Sequence, residues 1–156
     1  MSREHHYEVN VRWTGNTGAG TAKYLEYGRD HEVSAAGKPR LLGTADPAFL
    51  GTADRWNPEE LLVASLSQCH MLTYLALCAR DRIVVYSYED NATGVMTEER
   101  GNSGRFAEVV LNPTVVITDL EQIDRATELH HQANQTCFIA KSVNFPVRHR
   151  PIVRAD

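Results

Sequence analysis

Asn57-Pro58-Glu59-Glu60-Leu61-Leu62-Val63-Ala64-Ser65-Leu66-Ser67-Gln68-Cys69-His70-Met71-Leu72-Thr73-Tyr74-Leu75-Ala76-Leu77-Cys78-Ala79 is the stretch that sets the architecture of this 156-residue chain. Asn57 suits an N-cap, Pro58 the first helical position, and Glu60 the reciprocal half of a capping box. Glu59 stands at the positive end of the helix dipole, which alone could account for it. About 22 residues make roughly 33 Å of helix. It is apolar on nearly every side, so it should be wrapped by sheet or by a second subunit. Ser65, Ser67, Gln68, His70 and Thr73 interrupt the apolar run from Leu61 to Cys78, which favours a buried helix over a membrane span.

On the N-terminal side, Tyr7 to Trp13 alternates as a strand. Gly15 to Gly20 reads as a turn and Thr21 to Tyr27 as a second strand, together a hairpin. Gly28-Arg29-Asp30 bends into a short strand from His31 to Ala35, and Leu41 to Trp56 reads as an ordered loop. On the C-terminal side, Ile83 to Tyr88 and Ala92 to Glu98 read as strands or one bent strand. Phe106 to Ile117 is a long strand interrupted at Asn112-Pro113. Asp119 can cap a second helix with Ile123, Ala126, Leu129 and Ala133 on one face. Cys137 to Ala140 can open a further short helix, and Val147 to Val153 a last edge strand. The order is α+β rather than regular βαβ winding. No linker or repeat divides residues 1–156, so one domain is expected.

A formal charge of −4 with no basic block argues against nucleic acid as a partner. Arg148, Arg150 and Arg154 fit the outer face of an alternating strand. Met1 to His6 is polar and unlike a signal peptide, and three unpaired cysteines make no disulfide framework, so a reducing cytoplasmic setting is expected.

The cysteines carry the chemistry. Cys69 sits far from either helix end, in apolar surroundings that disfavour a thiolate. It is either an inert filler or a nucleophile supplied with a cation from another segment. Cys78, nine residues on, points to the opposite face about 13 Å along the axis, beyond the reach of a disulfide. It reads as a small core hydrophobe. Cys137, taken alone, also reads as core packing.

Asn57-Pro58-Glu59-Glu60-Leu61-Leu62 followed by Ser67-Gln68-Cys69-His70 resembles the signature of the OsmC/Ohr family of osmotically inducible and organic hydroperoxide resistance proteins. Cys137-Phe138-Ile139-Ala140-Lys141-Ser142-Val143, then Phe145-Pro146-Val147, resembles its second-cysteine segment, and Gly28-Arg29-Asp30 its arginine segment. The resemblance runs from Tyr7 to Val153. It implies antiparallel sheets wrapped around a long buried central helix in an intertwined homodimer, with active sites at the subunit interface. It implies a peroxiredoxin-like thiol peroxidase in which Cys69 attacks the hydroperoxide and Cys137 resolves. Arg29 would stabilise the thiolate and Glu59 would hold Arg29. No cofactor is implied, and the reductant would be a dithiol of the lipoyl type. Arg40 and Arg55 remain alternatives to Arg29. Asn134 and Phe138 stand where many relatives have histidine and proline.

These roles make physical sense. An arginine stays protonated and forks towards two acceptors at once, a carboxylate and a sulfur. Attack on the terminal peroxide oxygen gives a sulfenic acid, which a second thiol converts to a disulfide. Glu59 and Cys69 are about 15 Å apart along one helix, so Glu59 and Arg29 are expected to serve Cys69 of a partner chain. His70 faces away from the cysteine. His130 and His131 point about 100° apart and cannot grip one metal as an i, i+4 pair would. Tyr74, Tyr86 and Tyr88 are expected in the core or lining a pocket, where apolar walls favour bulky organic hydroperoxides. The competing reading is an apolar-ligand-binding or redox-sensing module with idle cysteines; a metal-dependent hydrolase has no ligand spacing to support it.

Overall fold

A computed structural model describes residues 2–156, in two compact units, one up to Leu61 and one from Leu62 to Asp156. The first unit holds a three-stranded antiparallel sheet, β1 (Asn10–Trp13), β2 (His31–Ser34) and β3 (Leu41–Gly43). The hairpin expected from Thr21 to Tyr27 is not formed: β1 pairs instead with β2, from Asn10↔Ser34 to Trp13↔His31. The intervening chain is a closed loop held by polar side chains. Asn16 Oδ1 accepts from the amides of Gly18 and Gly20, each at 2.9 Å, and Thr17 Oγ1 donates to Glu26 O at 2.8 Å. At its neck Gly28 N donates to Gly15 O at 2.8 Å, and a Cβ on Gly15 would stand 1.9 Å from Gly28 O. Leu41 to Trp56 is ordered as expected, with β3, a 3-10 turn at Pro47–Phe49 and a bridge from Gly43 to Trp56.

Helix α1 spans Pro58–Arg80. Its capping box is made: Glu60 N donates to Asn57 Oδ1 at 2.8 Å and Asn57 N to Glu60 Oε2 at 3.3 Å. Within the chain α1 buries one stripe at i, i+4 spacing, Leu66, His70, Tyr74 and Cys78. Leu72 on another face is 62% exposed.

The second unit carries two three-stranded sheets built from the same chain segments. β4 (Val85–Asp90), β7 (Pro113–Ile117) and β9 (Ile152–Ala155) form one; β5 (Thr93–Glu99), β6 (Ser103–Leu111) and β8 (Val147–His149) form the other. Each sheet is mixed rather than purely antiparallel, because β6 with β8 and β7 with β9 run parallel. The segment expected as one edge strand, Val147 to Val153, is therefore two strands that change sheet at Arg150-Pro151. Pro151 has no amide to continue a ladder. The bend between β6 and β7 is fixed by Asn112, whose amide donates to Asp90 Oδ1 at 2.7 Å and whose side chain donates to Asn91 O at 2.9 Å.

Helix α2 (Ile123–Thr136) follows a 3-10 turn at Leu120–Gln122 that Asp119 caps. Its buried face is Ala126, Leu129, His130 and Ala133. One core cluster joins Tyr74 and Cys78 to Ile83, Val115, Ile117 and the α2 face; another joins Leu66 to Val109 and Leu111. Cys78 is thus core, as expected. Tyr74 is buried, whereas Tyr86 is 74% exposed and so lies outside the core. On β4, Tyr86 falls at the register shift between Val85 and Ser87, whereas Tyr88 packs against the core.

Candidate functional site

Cys69 lies midway along α1 and Cys137 directly follows the last residue of α2, and both are free thiols. They come together: the Cys137 thiol lies within hydrogen-bonding reach of Cys69. Cys137 is 1% exposed, whereas Cys69 is half-buried. Burial, then the contact with Cys69, pushes the Cys137 thiol up to about 11. The amide of Ala140 approaches its sulfur at 3.4 Å. Helix geometry explains the meeting. Cys137 N still donates to Ala133 O at 2.9 Å, after which the backbone turns extended and the sulfur is left at the helix end. The accessible thiol can meet a substrate while the sheltered one stays protonated, a division of labour suited to attack followed by resolution. Phe138, beside Cys137, is 79% exposed.

The side chains of this pair's surroundings are unusual. His70, next to Cys69, is 1% exposed and its Nε2 lies 3.0 Å from Nδ1 of the fully buried His130. Burial holds His70 down at about 4 and His130 at about 3, with neighbouring imidazoles adding to the effect. His149 is also lowered, first by burial and then by His131. His130 stacks on Tyr74 at 3.7 Å between ring centroids. Asn134 Oδ1, His70 Nδ1, His130 Nε2 and His149 Nδ1 are buried without a partner. From sequence, His70 faces away from Cys69 and His130 and His131 cannot grip one metal, and neither reading brings His70 and His130 together. A signal for His130 was present: it falls on the same face as Ala126, Leu129 and Ala133, whereas His131 is exposed.

In the first unit, Arg29 and Glu59 line one cleft of about 230 Å³ with His31, Thr44 and Phe49. The Arg29 guanidinium donates to the carbonyls of Tyr27 and Tyr24, the latter at 2.7 Å, and lies over the Tyr27 ring at 3.9 Å and the Tyr24 ring at 4.7 Å. Glu59 Oε2 and Thr44 Oγ1 are buried in that unit without a hydrogen-bond partner. Thr44 was not singled out by sequence; nothing in its neighbours marks it. Of the alternative arginines, Arg40 pairs with Glu32 at 3.0 Å and Arg55 with Asp30 at 3.5 Å. Neither lines the Glu59 cleft, whereas Arg29 does.

A mixed α+β chain with two free thiols held in contact and an arginine sharing a cleft with a carboxylate describes a class of thiol protein. A family model for OsmC-like proteins matches residues 51–150, and the chain belongs to that family. An OsmC-like protein of unknown function from Vibrio cholerae is 32% identical, with 96% of this chain and 100% of that chain covered and a TM-score of 0.85. The fold is shared at lower identity by an organic hydroperoxide resistance protein from Elizabethkingia anophelis (17% identical, 99% of this chain and 100% of that chain, TM-score 0.67). It is shared also by an organic hydroperoxide resistance protein from Legionella pneumophila (17% identical, 96% and 98% covered, TM-score 0.67). Comparison with curated proteins gave no match.

Proposed function

We propose that this protein is a peroxiredoxin-like thiol peroxidase that reduces organic hydroperoxides through Cys69 and Cys137. The observation that carries the reading is the contact between two free thiols 68 residues apart in sequence, one half-buried and one sealed. The Cys69 thiolate attacks the terminal oxygen of the hydroperoxide. The O–O bond breaks, the alkoxide leaves and is protonated to an alcohol, and Cys69 becomes a sulfenic acid. Cys137 then attacks the Cys69 sulfur, water leaves, and a Cys69–Cys137 disulfide remains. A dithiol of the lipoyl type returns the pair to thiols; no cofactor enters the cycle. The organic preference is supported by the hydroperoxide resistance proteins that share the fold.

Arg29 stabilises the thiolate and Glu59 orients Arg29, each acting on Cys69 of a second copy. Two features support a homodimer of this kind. Glu59 and Cys69 are ten residues apart on one helix, about 15 Å along its axis. The helix also has a mean hydropathy of 1.5 over its most apolar 18 residues with only 22% of that window buried within the chain. An apolar helix so lightly covered in one copy suits a partner copy, and the polar Ser65, Ser67, Gln68 and Thr73 along it suit protein better than lipid. Neither nucleic acid nor membrane takes part, and the reducing cytoplasm is the setting in which free thiols can cycle.

Mass spectrometry after one equivalent of cumene hydroperoxide tests the assignment. The expected product is an intramolecular Cys69–Cys137 disulfide with release of one equivalent of alcohol. Little change, or slow and unselective oxidation of all three cysteines, would instead leave a binding or redox-sensing module.

A further inference from the structure

The buried imidazole pair His70–His130 has no place in the chemistry above, yet it joins the two helices that carry the thiols. His70 is the residue after Cys69 on α1; His130 lies two turns before Cys137 on α2. Their hydrogen bond, at 3.0 Å, spans 60 residues of sequence and is closed off from solvent, with His130 0% and His70 1% exposed. We propose that His70 and His130 are positioning residues whose mutual hydrogen bond sets the register of α1 against α2, and so holds the Cys137 sulfur on the line of approach to Cys69. The inference rests on the thiol-cycle reading for its physiological meaning but not for its test.

Stability alone gives no reason to keep this pair. Each imidazole has a second nitrogen, His70 Nδ1 and His130 Nε2, that is buried without a partner. Replacing both partners of a buried bond by apolar groups of similar shape is nearly neutral or stabilising, whereas removing one partner is costly. What two apolar side chains would not supply is direction. Tyr74, Cys78, Ala126 and Leu129 give the same interface its hydrophobic contact, and such contact tolerates small slides. One bond of fixed length between Nε2 and Nδ1 does not. A polar group retained in a core for register is the best-attested use of such groups. The stack of His130 on Tyr74, with an interplanar angle of 12°, fixes the ring plane and so the direction in which Nδ1 points. A slide of about one ångström is enough to spoil the near-linear geometry that thiol attack on sulfur requires.

The atoms used give a sharp substitution test. Asparagine places a polar atom near the position of histidine Nδ1, and glutamine near that of Nε2. His130→Asn and His70→Gln should therefore retain the bond, and His130→Gln and His70→Asn should lose it. Closure of the pair is read with diamide, which oxidises two thiols to a disulfide and is itself reduced to a hydrazine, so no peroxide chemistry is involved. Equilibrium against a lipoyl or glutathione redox buffer gives the potential of the disulfide.

The expected result is a tenfold or greater slowing of diamide closure and a shifted potential in His130→Leu and His130→Gln, with rescue in His130→Asn. The double variant His70→Leu/His130→Leu should melt no lower than the parent chain yet close slowly. That separates register from bulk stability and keeps the test informative if the single leucine variant folds poorly. After one equivalent of hydroperoxide, the variants without the bond should oxidise Cys69 at the parent rate and hold it as the sulfenic acid in place of disulfide, and a second equivalent should carry it to the sulfinic acid. Equal closure rates and potentials across the four polar variants would overturn the inference. A parent chain that closes with diamide but not with hydroperoxide would remove the peroxidase reading and leave the register pair standing.

Discussion

The thiol pair and the arginine cleft place reactive groups by different means. In the second unit, position comes from regular elements: Cys69 from the middle of a 23-residue helix, Cys137 from the end of a 14-residue one, with a buried imidazole bond between the two helices. In the first, Arg29 is placed by a loop with no regular structure. Its guanidinium is held by carbonyls two and five residues back, and the loop's neck is closed by a glycine pair. Elements packed in a core move little. A loop held by surface hydrogen bonds opens at far lower free energy. One half is thus placed by packed helices and the other by a loop's own hydrogen bonds, and the proposed roles of the two halves can be tested apart.

The largest effect should separate the two cysteines. Cys69→Ser is expected to cut hydroperoxide consumption by more than about 10³-fold, because the serine hydroxyl is a far weaker nucleophile and nothing replaces it. Cys137→Ser should still consume one equivalent and stop, with Cys69 advancing to the sulfinic acid under excess peroxide. A Cys137→Ser variant that turns over with a dithiol at the parent rate would make the sealed thiol dispensable.

Arg29 tests the loop half. Arg29→Ala is expected to lower the rate of Cys69 oxidation by about a hundredfold, as a thiolate in apolar surroundings loses its cation. Arg29→Lys should recover little, since an ammonium has no planar fork to share between carboxylate and sulfur. Stopped-flow measurement of the oxidation step across pH gives the readout. An unchanged rate, with only a lower melting temperature, would reduce Arg29 to the scaffold of its own loop, and Arg55→Ala would become the next variant to measure.

The packed half has its own signature, in acid. His70 and His130 are held by burial at about 4 and about 3, below the ordinary value near 6.5. The unfolded chain therefore binds more protons than the folded one below pH 6.5, and stability falls as pH drops towards those lower values. Between pH 6.5 and 5.5 the loss should be about 2 kcal/mol for the two together. Denaturant melts at both pH values measure it, and the double leucine variant should lose most of this slope. In alkali Cys137 acts with the opposite sign. Its folded value of about 11 lies above that of a free thiol, so the stability it lends is complete below about 8.5 and fades as pH rises towards 11.

This same contrast governed what the sequence could disclose. The capping box at Asn57, the α2 face, the core role of Cys78 and the α+β order were all legible, because periodicity and end signals report regular elements. The break of three segments between two sheets was half legible: Asn112-Pro113 marked one bend, Val147 to Val153 reads as a single strand, and nothing local says that a bent strand changes sheet. The loop of 15–28 was misread as a hairpin. Tyr24, Leu25 and Tyr27 have strand-like composition, yet the backbone there is tied by Asn16, Thr17 and Arg29 side chains, which no alternation pattern encodes. The contact between Cys69 and Cys137 came from resemblance to a family, since geometry along one helix could exclude Cys78 but could not bring in a residue from beyond α2. The His70–His130 bond was not legible, since neither histidine is assigned to a buried face by sequence. That they meet is a fact of packing.

The smallest effect tests whether the start of α1 belongs with the packed half. Asn57→Ala removes the side-chain acceptor for Glu60 N while leaving Glu59 in sequence. Loss of such a cap costs about 1 kcal/mol, which for a chain of this size lowers the melting temperature by a few degrees. Glu60→Gln should cost less, since an amide oxygen can still accept from Asn57 N. If the cap serves only the helix, the oxidation rate of Cys69 per folded molecule should stay within about twofold of the parent. If it also aims Glu59, the second residue of the helix, the rate should fall by more than the stability loss explains, and Glu60→Gln should fall in between. Calorimetry beside stopped-flow on the same two variants decides between them. A rate loss there would move the boundary between the packed and the loop half from the Arg29 loop to the first turn of α1.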